Sequence, residues 1–214
     1  MISLVNEAVE CQEKIDCEKN NSCLPISREE AIQLLNSYPQ ATSDKNHYLE
    51  SEAIMRGLAK KFGEDVEYWG MLGLLHDVDW SLTKENINDH LTKAPEILKK
   101  KGFSDEFIDI VVSHGYGFEC AGLVDKKRGE KIEFCLAAAE TLTGVIYAYA
   151  LMRGGKISDM QVKGLKKKFK DKAFAANCNR EIIREIEGAG LELGEFFEIA
   201  IDSLREIKDL IGLD

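Results

Sequence analysis

The sequence predicts an all-α protein, and three observations carry that prediction. Only three prolines occur in 214 residues, Pro25, Pro39 and Pro95, so long helices run without interruption. Apolar residues recur at helical spacing along most of the chain, and no stretch alternates as a strand would. Helix start and stop signals punctuate the pattern at regular intervals.

The elements follow in order. Ser27, with Glu30 three residues on, forms a capping box that opens a helix to about Tyr38, with Pro39 just beyond. A second helix is expected from about Asp44 to Phe62, with Leu49, Ile54, Leu58 and Phe62 on one stripe and Gly63 as its stop. A third runs from about Glu64 to His76, with acids in its first turn. Residues 79–91, rich in Asn, Asp, Ser and Thr, read as a loop. Helices follow over about Lys93 to Lys101, ended by Gly102, and from the cap Ser104 to His114. Gly115 to Gly129 is a loop with four glycines. Glu130 to Met152 is a long, mostly apolar helix that belongs in the core. Ser158 and Asp171 read as N-caps of two more helices, and the last helix covers about Gly194 to Ile211. The expected total is eight or nine helices with no internal repeat.

Composition sets limits on function. Hydrophobic residues are 44% and charged residues 31%, the balance of an ordinary globular protein. A net charge of −10 argues against general nucleic-acid binding, which needs a basic surface. Met1 to Leu24 does not read as a secretory signal, because charged residues such as Glu7, Glu10 and Asp16 interrupt it. No run of about 18 uncharged apolar residues is present, so no transmembrane helix is expected. The expected location is the cytoplasm, with its cysteines reduced. Cys11, Cys17 and Cys23 recur every six residues, a spacing that fits no common zinc or iron–sulfur pattern and suits small apolar fillers better. Six lysines between Lys163 and Lys172 suggest either a phosphate-attracting patch or a solvated helix face, and the acidity of the whole chain favours the face.

The chemistry concentrates in the histidines. All four, His47, His76, His90 and His114, lie at helix ends or polar breaks, and none follows His114. His76 and Asp77 come directly after the apolar Leu74-Leu75, where burying an imidazole and a carboxylate costs several kcal/mol, of order ~5, unless they are paired or hold a metal. Several neutral imidazoles with a carboxylate are a donor set for a transition metal. Neighbouring residues on a helix diverge by about 100°, which suits His76 serving one metal while Asp77 bridges to a second.

The ordered set His47, His76-Asp77, His90, His114 resembles the HD-domain superfamily of metal-dependent phosphohydrolases. The stretch LLHDVD at residues 74–79 is similar to the LLHDID variant of that family. AAAETLTG at residues 137–144 is similar to a family string AADxLTG, which aligns Glu140 with the family's last metal-binding Asp. The Glu in place of Asp is the main departure, and it reaches one methylene further. The resemblance covers about residues 27–150 and continues loosely through the C-terminal helices, while the first 25 residues match nothing. It implies an HD-type helical bundle over residues 26–214, with its metal-site core at about 44–152, additional C-terminal helices at about 158–212, and an N-terminal extension over 1–25.

The resemblance also implies a site. One metal would take His47, His76, Asp77 and Glu140; a second would share Asp77, the catalytic bridging acid, with His90 and His114. One or two divalent ions of iron, manganese, cobalt, nickel or zinc fit such ligands. Two ions about 3.5–4 Å apart clamp an in-line displacement and lower the pKa of water from about 15.7 to about 7. Asp79 either orients a ligand imidazole or caps its loop, and Glu50, one turn after His47, has the same standing. Lys93, Tyr116 and Arg128 are candidate substrate contacts, with solvated side chains as the plainer reading for Lys93. The implied activity is hydrolysis of a nucleotide or another small phosphate ester by a metal-activated hydroxide. Relatives with this ligand pattern that oxidise substrates with O₂ at a di-iron centre offer a second reading, and a diverged regulatory or binding module a third. The expected partner is a small phosphorylated substrate, with no membrane and with room for a homo-oligomer.

Overall fold

The computed structural model describes residues 24–214. Cys11, Cys17, Cys23 and the proposed N-terminal extension up to residue 23 lie outside the described residues. Among the described residues there are ten α-helical segments and no strand, so the chain is all-α.

Helix α1 (Arg28–Asn36) opens on the expected capping box: the Glu30 backbone donates to Ser27 Oγ at 3.2 Å, and the Ser27 backbone to Glu30 Oε2 at 2.7 Å. Helix α2 (Thr42–Phe62) begins two residues before the expected Asp44 and ends on Gly63 in the left-handed conformation, φ 72°. Helix α3 (Val66–Leu75) is capped by Asp65, whose Oδ1 accepts from the backbones of Glu67 and Tyr68.

These two helices cross in close contact. A Cβ on Gly73 of α3 would stand 2.5 Å from the Ser51 carbonyl oxygen of α2, a backbone atom that cannot swing aside. Only glycine lets the axes approach so closely, and the approach brings His47 and His76 together. Arg28, Glu52, Arg56 and Glu67 tie α1, α2 and α3 at the far side: the buried Glu52 accepts from both guanidinium groups at 2.6 to 2.9 Å.

Residues 79–91 are not a plain loop. They hold the one-turn helix α4 (Trp80–Thr83) and a 3₁₀ turn at Ile87–Asp89. Thr83 Oγ1 donates to the Asp79 carbonyl at 2.9 Å, and Asn86 Oδ1 caps the 3₁₀ turn, so polar residues that suggested a loop in fact stabilise short helical turns. Helix α5 (Ala94–Lys100) starts on Pro95 in its first turn, and α6 (Asp105–Ser113) on the cap Ser104, as expected.

Helix α7 (Lys131–Met152) is the central strut, in contact with α2, α3 and α6 and with the C-terminal elements. Leu142, Val145 and Ile146 are fully buried, each worth about 1.5–3 kcal/mol of hydrophobic stabilisation. By length and composition α7 is long and apolar enough to cross a membrane, but 56% of that window is buried inside the fold.

The C-terminal caps differ from expectation. Helix α8 (Val162–Lys170) starts after Gln161 rather than Ser158, and α9 (Arg180–Arg184) after Asn179. Asp171 ends α8, where its Oδ1 accepts from the Ala173 backbone in a turn; Asp serves turns as readily as N-caps. Helix α8 buries Leu165 and Phe169 and turns Lys166, Lys167 and Lys170 to solvent, the amphipathic face foreseen. Helix α10 (Leu193–Glu206) packs on α2 and α8 and stops short of the expected Ile211.

Candidate metal centre

Each histidine is delivered by a local stop in the chain. His47 sits in α2 near its start, and His76 is the residue on which α3 ends. Tight turns follow, with the Val78 backbone donating to Leu75 and that of Trp80 to Asp77. His90 ends the 3₁₀ turn at Ile87–Asp89, and His114 ends α6.

The four side chains converge on Asp77. His47 Nε2 lies 3.0 Å from His76 Nε2, and His90 Nε2 lies 3.2 Å from His114 Nε2. The Asp77 carboxylate stands between the pairs. Its Oδ2 is 3.8 Å from His47 Nε2 and 3.6 Å from His76 Nε2, while its Oδ1 is 3.3 Å from both His90 Nε2 and His114 Nε2. Two groups result whose ligand atoms lie within 4.8 Å of one another: His47, His76 and Asp77; and Asp77, His90 and His114. His76 is fully enclosed, and His47 is the most exposed of the four, with 29% of its side chain accessible.

The donor chemistry fits a cation. His76 Nδ1 donates to the Gly73 carbonyl at 2.8 Å and His114 Nδ1 to the Val111 carbonyl at 2.7 Å. The Thr143 hydroxyl spends its proton on the Glu140 carbonyl at 2.6 Å, so it accepts from His47 Nδ1 at 3.0 Å. With these tautomers set by the network, three Nε2 lone pairs face a carboxylate and one another. Lone pairs at such distances repel unless a cation stands among them. Charge points the same way. Burial holds His76 neutral, its pKa lowered to about 3 against the opposing pull of Asp77. Burial works against ionised Asp77, but the histidines around it outweigh that and keep it well below the usual carboxylate range. At His90 burial is likewise outweighed, by contact with Asp77 and Asp79, and the pKa is raised to about 10. The pocket therefore draws in positive charge.

Asp79 holds this arrangement from behind. Fully buried, it accepts backbone hydrogen bonds from Leu91 at 3.3 Å, Lys93 at 3.0 Å and Ala94 at 3.1 Å. Oδ1 also lies 3.3 Å from His90 Nδ1, close enough for attraction but out of line for a hydrogen bond. It caps the start of α5 from a distance and faces the His90 ring.

The other candidates fall differently. Glu140 lines the same pocket but belongs to neither ligand group, and its Oε1 accepts from the Thr141 hydroxyl. Burial raises its pKa against the opposing pull of His114 and His47. Glu50 does not line the pocket; it is buried, with Oε1 lacking a hydrogen-bond partner. Lys93 does not line it either, and its ammonium donates to the Leu82 carbonyl at 3.2 Å. Arg128 makes no wall of the pocket. Its guanidinium is buried against Glu185 and the carbonyls of Ser113, His114 and Tyr116.

Above the cluster opens a pocket of about 540 Å³. Trp80, Ile87 and Phe118 are among its apolar lining residues, and Asn177, Cys178 and Asn179 line it as well. Sequence reasoning did not single out these residues. Asn177, Cys178 and Asn179 come from the turn after α8, which Arg180 fixes by donating to the carbonyls of Phe174, Ala175 and Cys178.

Comparison with known proteins agrees with the geometry. The HD domain family matches residues 45–142, a span that contains all four histidines, Asp77 and Glu140. Ribonuclease Y of Pseudothermotoga lettingae is 25% identical over 193 residues, covering 83% of this chain and 34% of its own length, so the chain spans about a third of that relative. No solved structure matches the chain. An all-α fold, a histidine–aspartate cluster able to hold metal, and a family match over the segment that builds it mark residues 45–142 as an HD domain.

Proposed function

We propose that the chain hydrolyses a nucleotide or another small phosphate ester, with His47 and His76 holding one divalent cation, His90 and His114 a second, and Asp77 bridging them. The observation that carries this reading is the division of Asp77, whose Oδ2 faces the first histidine pair and whose Oδ1 faces the second. Bound divalent cations supply Lewis-acid charge to a phosphoryl group and lower the pKa of water toward neutrality. The chain's own residues do the rest. The Nδ1 hydrogen bonds to Gly73, Val111 and Thr143 fix the imidazole planes, so no ligand must reorient during reaction. Glu140, beside the cluster, is a candidate further ligand or a partner for a group leaving the phosphate.

The relative's name denotes a ribonuclease, but a net charge of −10 and a pocket with no Lys or Arg among its lining residues favour a small substrate over a polynucleotide. The test is elemental analysis of the purified protein, followed by assay of phosphomonoesters and diesters after loading with manganese, iron, cobalt, nickel or zinc. Bound metal and turnover are expected, with both lost in His76→Ala. Absence of turnover with every metal, or oxygen uptake by the iron-loaded protein, would overturn the proposal.

A further inference from the structure

The pocket above the cluster has a composition that narrows the substrate. Among the described residues, no Lys or Arg lines it, while Glu119 and Glu140 do. A terminal phosphate seated among cations held by the histidines would be neutralised there. A second or third phosphate would find no positive partner and would meet carboxylates instead, a like-charge juxtaposition that costs binding.

The walls suit an uncharged ring. Trp80, Ile87 and Phe118 line the pocket; Ile87 and Phe118 remain 57% and 43% exposed although they are large and apolar. The 3₁₀ turns Ile87–Asp89 and Cys120–Gly122 pack against each other, which sets Ile87 and the chain next to Phe118 side by side at the rim. Exposed aromatic surface beside a concave site is characteristic of a stacking platform. Asn88 and Asn177 also line the pocket, and a side-chain amide has both donor and acceptor groups for the edge of a planar heterocycle.

Resting on the phosphohydrolase reading above, we propose that the site selects esters carrying a single phosphate on an uncharged, ring-bearing alcohol, in the manner of a nucleoside monophosphate, and discriminates against di- and triphosphates. In the reaction, the oxygen of water bonds to phosphorus, the bond from phosphorus to the alcohol oxygen breaks, and the alcohol leaves with one proton from water.

The experiment compares kcat/KM for adenosine mono-, di- and triphosphate and for glycerol phosphate, using the metal-loaded full chain. The monophosphate should exceed glycerol phosphate by about tenfold or more, the size of a stacking contribution, and both polyphosphates by about the same factor, through the like-charge juxtaposition with the carboxylates. Phe118→Ala, a rim substitution that leaves the core filled, should reduce the advantage of the adenosine ester over glycerol phosphate by about tenfold. Glu119→Lys should narrow the gap between di- and monophosphate. A separate readout is quenching of Trp80 fluorescence, with Trp80→Phe as control because Trp69 also emits; adenosine monophosphate should quench at lower concentration than the triphosphate. Turnover of glycerol phosphate or of the triphosphate equal to that of the monophosphate would overturn this inference and leave the hydrolase reading standing. Turnover of no ester would remove the hydrolase reading, and the quenching titration would then decide the selectivity on its own: equal quenching by mono- and triphosphate would sink it.

Discussion

The Arg128 guanidinium donates to the main-chain carbonyl of His114 at 3.1 Å, and through the same nitrogen to those of Ser113 and Tyr116 at 2.8 and 3.0 Å. It thereby supplies the end of α6 with donors that the helix itself lacks. Its other nitrogens engage Glu185 in the C-terminal part of the chain. The carbonyls of a candidate ligand and its neighbours are thus held by a buried, paired cation 14 residues further along.

Arg128→Gln should weaken metal binding at the His90–His114 pair by about 10- to 100-fold, as loss of an orienting partner does. It should also lower stability by about 1–3 kcal/mol, because the half-buried Glu185 and the three carbonyls lose their donor. Titration of the apoprotein with zinc, alongside denaturant unfolding, measures both. An unchanged second equivalent of zinc would show that the clamp has no hold on His114.

Asp79 makes a different demand. Leu91 adopts φ 67°, unusual for a branched-chain apolar residue, and its amide reaches Asp79 in that conformation. Asp79→Ala strands three buried backbone donors at about 1–3 kcal/mol each, so large destabilisation is expected. Asp79→Asn keeps an acceptor and should fold better while losing about 10-fold in metal affinity. Thermal melts with and without added manganese separate the two effects; equal behaviour of the two variants would contradict this account.

Gly73→Ala tests the helix crossing. The new methyl group would be forced onto the Ser51 carbonyl, and overpacking of this kind costs about 1–3 kcal/mol. Separation of α2 from α3 should also spread His47 from His76 and reduce bound metal. Elemental analysis of the variant should find fewer equivalents than in the parent protein; full occupancy would mean the crossing has slack.

Glu50 supplies a pH dependence independent of the metal. Burial raises its pKa from 4.5 to about 8. Between those values the folded chain keeps a proton that the unfolded chain releases, so stability falls as pH rises from about 4.5 to about 8 and then levels. Glu50→Gln should therefore be more stable than the parent above pH 8, by a few kcal/mol of order ~3, and nearly equal to it at pH 4. Urea midpoints across that range give the answer, and a difference that does not vary with pH would reject it.

The helices were legible because their signals are local. Ser27 with Glu30, Asp65, Ser104 and Gly63 each act on residues within one turn. The short turns over Trp80–Thr83 and Ile87–Asp89 were not, since Asp79 reaches residues up to 15 positions away to shape that segment. The histidines stood out because imidazoles are few and a buried His-Asp pair is costly. Phe118, Asn88 and Asn177 carry no such mark. Their meeting depends on turns that pack at long range, and a lone aromatic or amide in a loop has many ordinary uses. Arg128 was noticed, but its burial against Glu185 separates it from the substrate role first considered.

The division of labour in the pocket has an evolutionary corollary. The histidines and Asp77 fall within residues 45–142, whereas Gly144 and the Asn177–Asn179 turn lie beyond that span and still wall the same cavity. Substitutions in the trailing helices can thus reshape that cavity while the histidine–aspartate cluster stays untouched, and cutting the chain at residue 142 would strip away part of the cavity wall.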